Sequence, residues 1–314
     1  MPRSVSPSIP EKEFLVSALQ QSLRLDGRSV VELREPQLTF GPELGWVECA
    51  MGKTRVMASI EAKMMRPAPD RPYEGMINIQ SEISPMASSE YEQGRTSDEE
   101  VTITRMLDKV LRRSDALDKE SLCIVAGQRV WSLKVTIQFL SDAGNMLDCA
   151  CLAGIVALRH FRKPEVQVEG EEVIVHPPES RAPLPLAIHH SPLCFTFALY
   201  SFQRLSSIQT KGGTSSSEQQ PNISTVPSGS FSTHQTFALL DPSTLEETLA
   251  HGTLSVALNA QSEICVLQKN GGVPLDQDTI LRLVEVAVGK AKEIETLVDR
   301  RLQEDWDERR LELR

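Results

Sequence analysis

The sequence predicts an α/β (α+β) domain whose second half repeats the strand-and-helix theme of the first and which closes in a long helix. Three stretches carry that expectation. Residues 130 to 140 (VWSLKVTIQFL) alternate, with Trp131, Leu133, Val135, Ile137 and Phe139 on one face and Ser132, Lys134, Thr136 and Gln138 on the other, the period of a half-buried strand. Residues 145 to 162 are apolar nearly all the way round, as a central helix must be, and Pro164 stops them. Residues 276 to 312 place Ile280, Leu283, Val284, Ala287, Ile294 and Leu297 at helical spacing.

The remaining elements follow in chain order. Residues 10 to 23 read as a short helix with Phe14, Leu15, Ala18 and Leu19 on one face. Residues 46–51 and 55–62 are strand-like runs around Gly52-Lys53-Thr54, followed by a proline-rich loop at 66–72 and a strand at 75–79. Ser97-x-x-Glu100 is a capping-box pattern, and Ile103, Met106, Leu107, Val110 and Leu111 continue the helix behind it. Further strands are expected near 171–175, 193–202, 236–240, 253–259 and 263–269, with a short acidic helix at 242–250. Asp241 is its expected N-cap, with Pro242 at the first helical position and Glu246 and Glu247 at the positive end. The last helix loses its apolar positions after Leu302, so its charged end is expected to be solvated or held by a partner.

Residues 206–234 are Ser, Thr, Gly, Gln and Pro with few apolar side chains, a composition that cannot bury enough surface to offset ordering entropy. They are read as a flexible insertion, which divides the chain into an arm at 1–24, a first part at 25–205 and a second part at 235–314.

Net charge is −10, whereas a free-standing nucleic-acid binder carries a surplus of Lys and Arg to neutralise phosphates. RNA contact would need a local basic patch or a surface shared with other chains. No run of 18 or more apolar residues occurs, so no membrane span or membrane partner is expected, and prolines near the first residues replace the apolar core of a signal peptide. An intracellular location is the expectation. The six cysteines form no CxxC pair and read as reduced core residues. His189 and His190 have no ligand at metal spacing, so no metal is expected. Gly52-Lys53-Thr54 ends like a Walker motif, but Val47 stands where its other glycine belongs, and the loop joins two strands.

Five blocks fall in a telling order: RLDGRSVVELREPQLTFG, VECAMGKTRVMASIEA, SDEEVTITRMLDKVLRRS, VWSLKVTIQFLSDAGNMLDCACLAGIVAL and LLDPSTLEE. Together they resemble the RNase PH-like ring subunits of the eukaryotic RNA exosome. Two longer phrases, VIVHPPESRAPLPLAIHHSPLCFTFALY and LLDPSTLEETLAHGTLSVALNAQSEICVLQKNGG, are most similar to the polymyositis–scleroderma autoantigen type of subunit. The resemblance implies an RNase PH-like fold of two related β-α units with ribosomal-protein-S5-like topology. It implies a six-membered hetero-oligomeric ring of RNase PH-like subunits around a channel for single-stranded RNA. It also implies cap subunits, an associated exonuclease, and residence in nucleus, nucleolus and cytoplasm.

Active members of that family cleave RNA with inorganic phosphate, an anion that needs strong donors such as an Arg fork and backbone N–H groups at a helix start. The family's GGTR-like phosphate segment matches Asp142-Ala143-Gly144-Asn145-Met146 here, with Met146 at the expected Arg and Asn145 as a helix cap. The family's two Asp residues match Asp241 and Glu247, an acidic pair that survives in part. The resemblance therefore implies a non-catalytic subunit with no catalytic residue, metal or cofactor. Lys63, Arg66 and Arg71 in the proline-rich loop, and Arg105, Arg112 and Arg113 on the capped helix, are the candidate RNA contacts. An active phosphorolytic exoribonuclease and a ring-independent RNA-binding adaptor are the alternatives.

Overall fold

The structure, a computed structural model, describes residues 7–92, 94–169, 172–177, 180–203 and 234–312. The expected insertion at 206–234 lies outside these residues except for its last, His234.

Helix α1 (Ile9–Gln20) starts in a capping box between Ser8 and Glu11. It buries Leu15 and Leu19 against Ala198, Tyr200 and Leu239. Phe14, expected on that face, is 62% exposed. Residues 14 and 15 are about 100° apart on a helix, and Leu15 with Leu19 takes the stripe.

The first unit contains strands β1 (Pro36–Phe40), β2 (Trp46–Met51), β3 (Thr54–Met65) and β4 (Met76–Ile83), helix α2 (Asp98–Leu107), and strands β5 (Cys123–Val125) and β6 (Arg129–Ser141). Its sheet runs β1-β2-β3-β6-β4, with β5 beside one end of β6. Every pairing is antiparallel except β4 with β6. That parallel pair requires a crossover, which α2 and the wider π-helical turn Asp108–Arg113 supply. Ser97 caps α2 by accepting the Glu100 N–H at 3.0 Å, but the reciprocal carboxylate bond is not made among the described residues. Along β6 the expected apolar face is buried throughout.

Helix α3 (Met146–His160) packs on β2, β3 and β6 on one side and on the second unit's sheet on the other. Its all-round apolarity serves two sheets at once. Short ribbons follow: β7 (Arg162–Lys163), β8 (Val166–Glu169) and β9 (Glu172–Val175), with β8 against β9 and β7 against β10 (Leu184–Pro185). The second unit comprises β11 (Leu193–Gln203), β12 (His234–Leu240), α4 (Thr244–Leu249), β13 (Gly252–Leu258), β14 (Ile264–Gly271) and α5 (Gln277–Glu312), its sheet ordered β12-β11-β13-β14. All six cysteines are free thiols, four of them buried.

The charged end of α5 is solvated in part, as expected, with Gln303, Glu304, Asp307 and Glu308 exposed, but Arg301, Asp305 and Arg309 turn inward. Arg301 donates to the Leu38 carbonyl at 3.0 Å, and Arg309 donates to Gly41 and Pro42 at 2.6 and 3.0 Å. Asp305 pairs with Arg309 at 2.7 Å and meets Nε2 of the buried His160 at 3.1 Å, while the Arg162 guanidinium lies 4.5 Å over Trp306. The arginines satisfy carbonyls that edge strand β1 and the β1–β2 turn leave open. Arg309→Ala should therefore cost about 1–2 kcal/mol, lowering the melting temperature by a few degrees. Arg300→Ala, an exposed control, should shift it far less in the same thermal melts.

Candidate functional site

The site grows from one carboxylate. Asp241, fully buried, sits between β12 and α4 with φ +52°. It is not the cap of α4: Ser243 is, and Glu246 closes that capping box, its carboxylate accepting from the Ser243 N–H at 2.8 Å. Asp241 instead accepts from Arg28 Nη1 at 2.7 Å, from Arg34 Nε and Nη2 at 2.8 and 2.6 Å, from the Arg34 backbone N–H at 3.0 Å, and from Asn145 Nδ2 at 2.8 Å. Burial opposes its charge, yet Arg34 and Asn145 together hold its carboxyl below the usual carboxylate range. Arg24 completes the knot, donating to the Leu240 and Asp241 carbonyls at 2.9 and 2.8 Å and pairing with the buried Glu246 at 2.7 Å.

The start of α3 docks on this knot. Gly144 has φ +85°, and a Cβ there would fall 2.4 Å from the Thr244 nitrogen. Thr54, the last residue of the Walker-like triplet, is buried and donates to the Gly144 carbonyl at 2.8 Å, so that triplet anchors a loop. Asn145 stands at the N-cap position but does not cap, correcting the expectation. Its backbone is left-handed at φ +54°, and its amide donates to Asp148 and Asp241 at 2.8 Å each. Two acids hold the neighbouring donors. Glu247 accepts the Asn145 N–H at 3.1 Å, and Asp148 accepts the N–H and hydroxyl of Thr196, both at 2.7 Å. Met146 is 3% exposed and belongs to the core.

The electrostatics follow. Burial pushes Asp148 up to about 6, with Asp241 adding to it, and pushes Glu247 up to about 7, with Glu99, Asp142 and Asp148 adding to it. The Asn145 N–H at this helix start is thus taken by one of the chain's own carboxylates, and the nearby arginines are engaged on Asp241 and Glu246.

The six RNA candidates divide. Arg71, Arg112 and Arg113 line one groove of about 800 Å³ together with Lys119. Their charges are partly offset, Arg71 by Glu74 at 2.9 Å and Arg112 and Arg113 by Asp108. Lys63 is exposed on β3 and pairs with Glu61 at 3.1 Å. Arg66 and Arg105 are exposed and form no ion pair among the described residues. Arg112 and Arg113 lie on the π-helical turn rather than on α2 proper. Reading the sequence alone misses Arg24, Arg28, Arg34, Asp148 and Thr196. Arg24 and Arg28 are the two arginines that open the block RLDGRSVVELREPQLTFG, the available signal.

Residues 32–164 match the 3′ exoribonuclease (RNase PH) family, domain 1, and residues 229–290 match its domain 2. The chain is 38% identical over 305 residues to the Schizosaccharomyces pombe exosome complex component rrp45, covering 97% of this chain and 94% of that protein. The chain belongs to the RNase PH family of exosome components. The Saccharomyces cerevisiae component RRP45 is 37% identical, with 98% and 95% covered, and the Homo sapiens RRP45 is 36% identical, with 94% of this chain and 60% of that longer protein covered. Among solved structures, a chain of the Archaeoglobus fulgidus exosome with RNA bound to the active site superposes with a TM-score of 0.70 at 23% identity, covering 91% and 97%. Rice Rrp46 gives 0.57 at 15%, covering 89% and 100%. The fold is that of the RNase PH family: two strand-and-helix units sharing α3, closed by α5.

The raised Glu247 sets a pH dependence. An acid whose folded value lies above its unfolded one binds its proton more tightly when folded, so its contribution to stability is lost as pH rises from the unfolded value through about 7. Glu247→Gln should match the wild type near about pH 4, below the unfolded value, and exceed it by on the order of 1–3 kcal/mol near about pH 8, read by denaturant unfolding at both. An equal effect at both pH values contradicts this.

Proposed function

We propose that this exosome component is a non-catalytic, structural subunit of the core ring, which contributes to threading RNA in 3′-to-5′ processing and degradation. One observation carries the reading. The helix start where a phosphorolytic member needs an anion site is closed by Glu247 on the Asn145 N–H, with buried Met146 beside it and Asp241 locked by Arg28 and Arg34. Phosphate brought there would meet carboxylates in place of donors, at a site where low dielectric strengthens repulsion. The reading requires no metal or cofactor.

The proposed partners are other RNase PH-like subunits in a six-membered ring, with cap subunits and an associated exonuclease docked on it. Edge strand β14 supports such association, since it exposes Ile264 and Leu267 and leaves one row of backbone groups unpaired by any described strand. Arg71, Arg112 and Arg113 are the proposed RNA contacts, because one groove gathers them; Lys63, Arg66 and Arg105 stand as outlying candidates. The proposed location is nucleus and nucleolus with a cytoplasmic share, to be read by tagging the protein in cells.

Purified protein incubated with single-stranded RNA, phosphate and Mg²⁺ should release no nucleoside diphosphates, whereas an active phosphorolytic family member in parallel should. Release that disappears in Asp241→Ala would overturn the proposal. In the assembled ring, Arg112→Glu with Arg113→Glu should weaken RNA binding and lower its salt slope by about 1 per arginine. Unchanged binding removes these two from the RNA path.

A further inference from the structure

Four carboxylates gather beside the start of α3. Glu99 on α2, Asp142 in the loop before α3, Asp148 on α3 and Glu247 on α4 form no ion pair among the described residues. Their hydrogen bonds come from neutral donors: Tyr91 on Glu99 and Asp142, Gly144 on Asp142, and Asn145 and Thr196 as above. Burial raises Glu99 as well, with Asp142 and Glu90 adding to it. Arg34, already engaged on Asp241, acts on Asp148 at a distance, and Glu99 and Glu247 form no ion pair among the described residues.

Two of these acids, Glu99 and Glu247, line a cleft of about 110 Å³ bounded by α2, α3, α4, β11, β13 and β14. Glu99, Glu247, Asn145 and Ser255 contribute polar groups, and Ile103 and Met106 an apolar wall. A second observation is independent of charge. Asn145 is 1% exposed, and its Oδ1 has no hydrogen-bond partner although Nδ2 donates twice. Buried carbonyl oxygens are seldom left without a donor, and each one so left is unfavourable by about 1–3 kcal/mol.

A ligand matched to this cleft brings positive charge, N–H donors and some aliphatic surface. An anion is excluded by the carboxylates. A hard divalent ion calls for about six oxygens or waters at fixed distances, which a half-apolar cleft does not provide. An ammonium head carries three donors and no acceptor, and its methylene stem suits the Ile103 and Met106 wall. We propose that this cleft binds a primary alkylammonium group, carried either by a lysine side chain of a bound protein or by a free polyamine. The proposal rests on the reading that this helix start holds no anion.

The whole protein is titrated with n-butylammonium and with spermidine at ionic strength held constant by tetramethylammonium chloride, and its melting temperature is followed. The expected result is a saturable rise of several degrees with both amines and none with tetramethylammonium, with the midpoint at least about tenfold higher in Glu247→Gln and in Glu99→Gln. The assembled ring is then treated with a carbodiimide, which condenses a carboxylate with a touching amine and carries off the oxygen as a urea. A Glu99 or Glu247 link to a protein lysine identifies the lysine source. A saturable amine response without that link identifies a free polyamine. Equal shifts with tetramethylammonium, or both variants responding like the wild type, overturn the proposal. Nucleoside diphosphate release in the earlier assay would instead show that the reading beneath it had failed.

Discussion

A fully buried carboxylate, Asp241, organises this molecule. Taking its charge out of water is costly by several kcal/mol unless donors surround it, and five hydrogen bonds from Arg28, Arg34 and Asn145 do so. Those donors come from far apart in sequence: the segment before β1 and the start of α3. With Arg24 on the neighbouring carbonyls, the knot fastens both units at the point where α3 and α4 begin. Left-handed backbone at Asn145 and Asp241, unfavourable for side-chain-bearing residues, persists because these bonds over-determine it. Loss of one partner would strand the others, the circumstance in which a buried pair matters most.

The same knot decides what the site can do. Three arginines and an N–H at a helix start are the materials of an anion site, but here each of these is already engaged. The arginines are fixed on Asp241, Glu246 and main-chain carbonyls, the Asn145 N–H on Glu247, and the position of the expected phosphate-holding arginine is Met146 in the core. What remains facing the cleft is a surplus of acceptors. The molecule keeps the family's architecture.

Much of this was legible in the sequence, and the rest failed for physical reasons. The β6 alternation and the all-round apolarity of α3 gave both elements to within two residues, because burial imposes their periods directly. Met146 was visible as an unsuitable anion partner. Asp241 was misread as a helix cap because Asp-Pro before an acidic turn is also good capping chemistry, and nothing local reveals arginines more than 200 residues away. Asn145 was misread likewise, since a left-handed asparagine and a capping asparagine share a letter. The end of α5 looked solvent-bound because its arginines bond to carbonyls, which carry no sequence signature.

The central claim is that no phosphate can sit at the start of α3. Phosphorus-31 line broadening, with the purified chain titrated into inorganic phosphate in the presence of Mg²⁺, tests it most directly. The account predicts the same narrow line for the wild type and for Glu247→Ala, apart from weak salt-screened broadening common to both. Saturable broadening by the wild type that is lost on substituting Arg28 or Arg34 would contradict it.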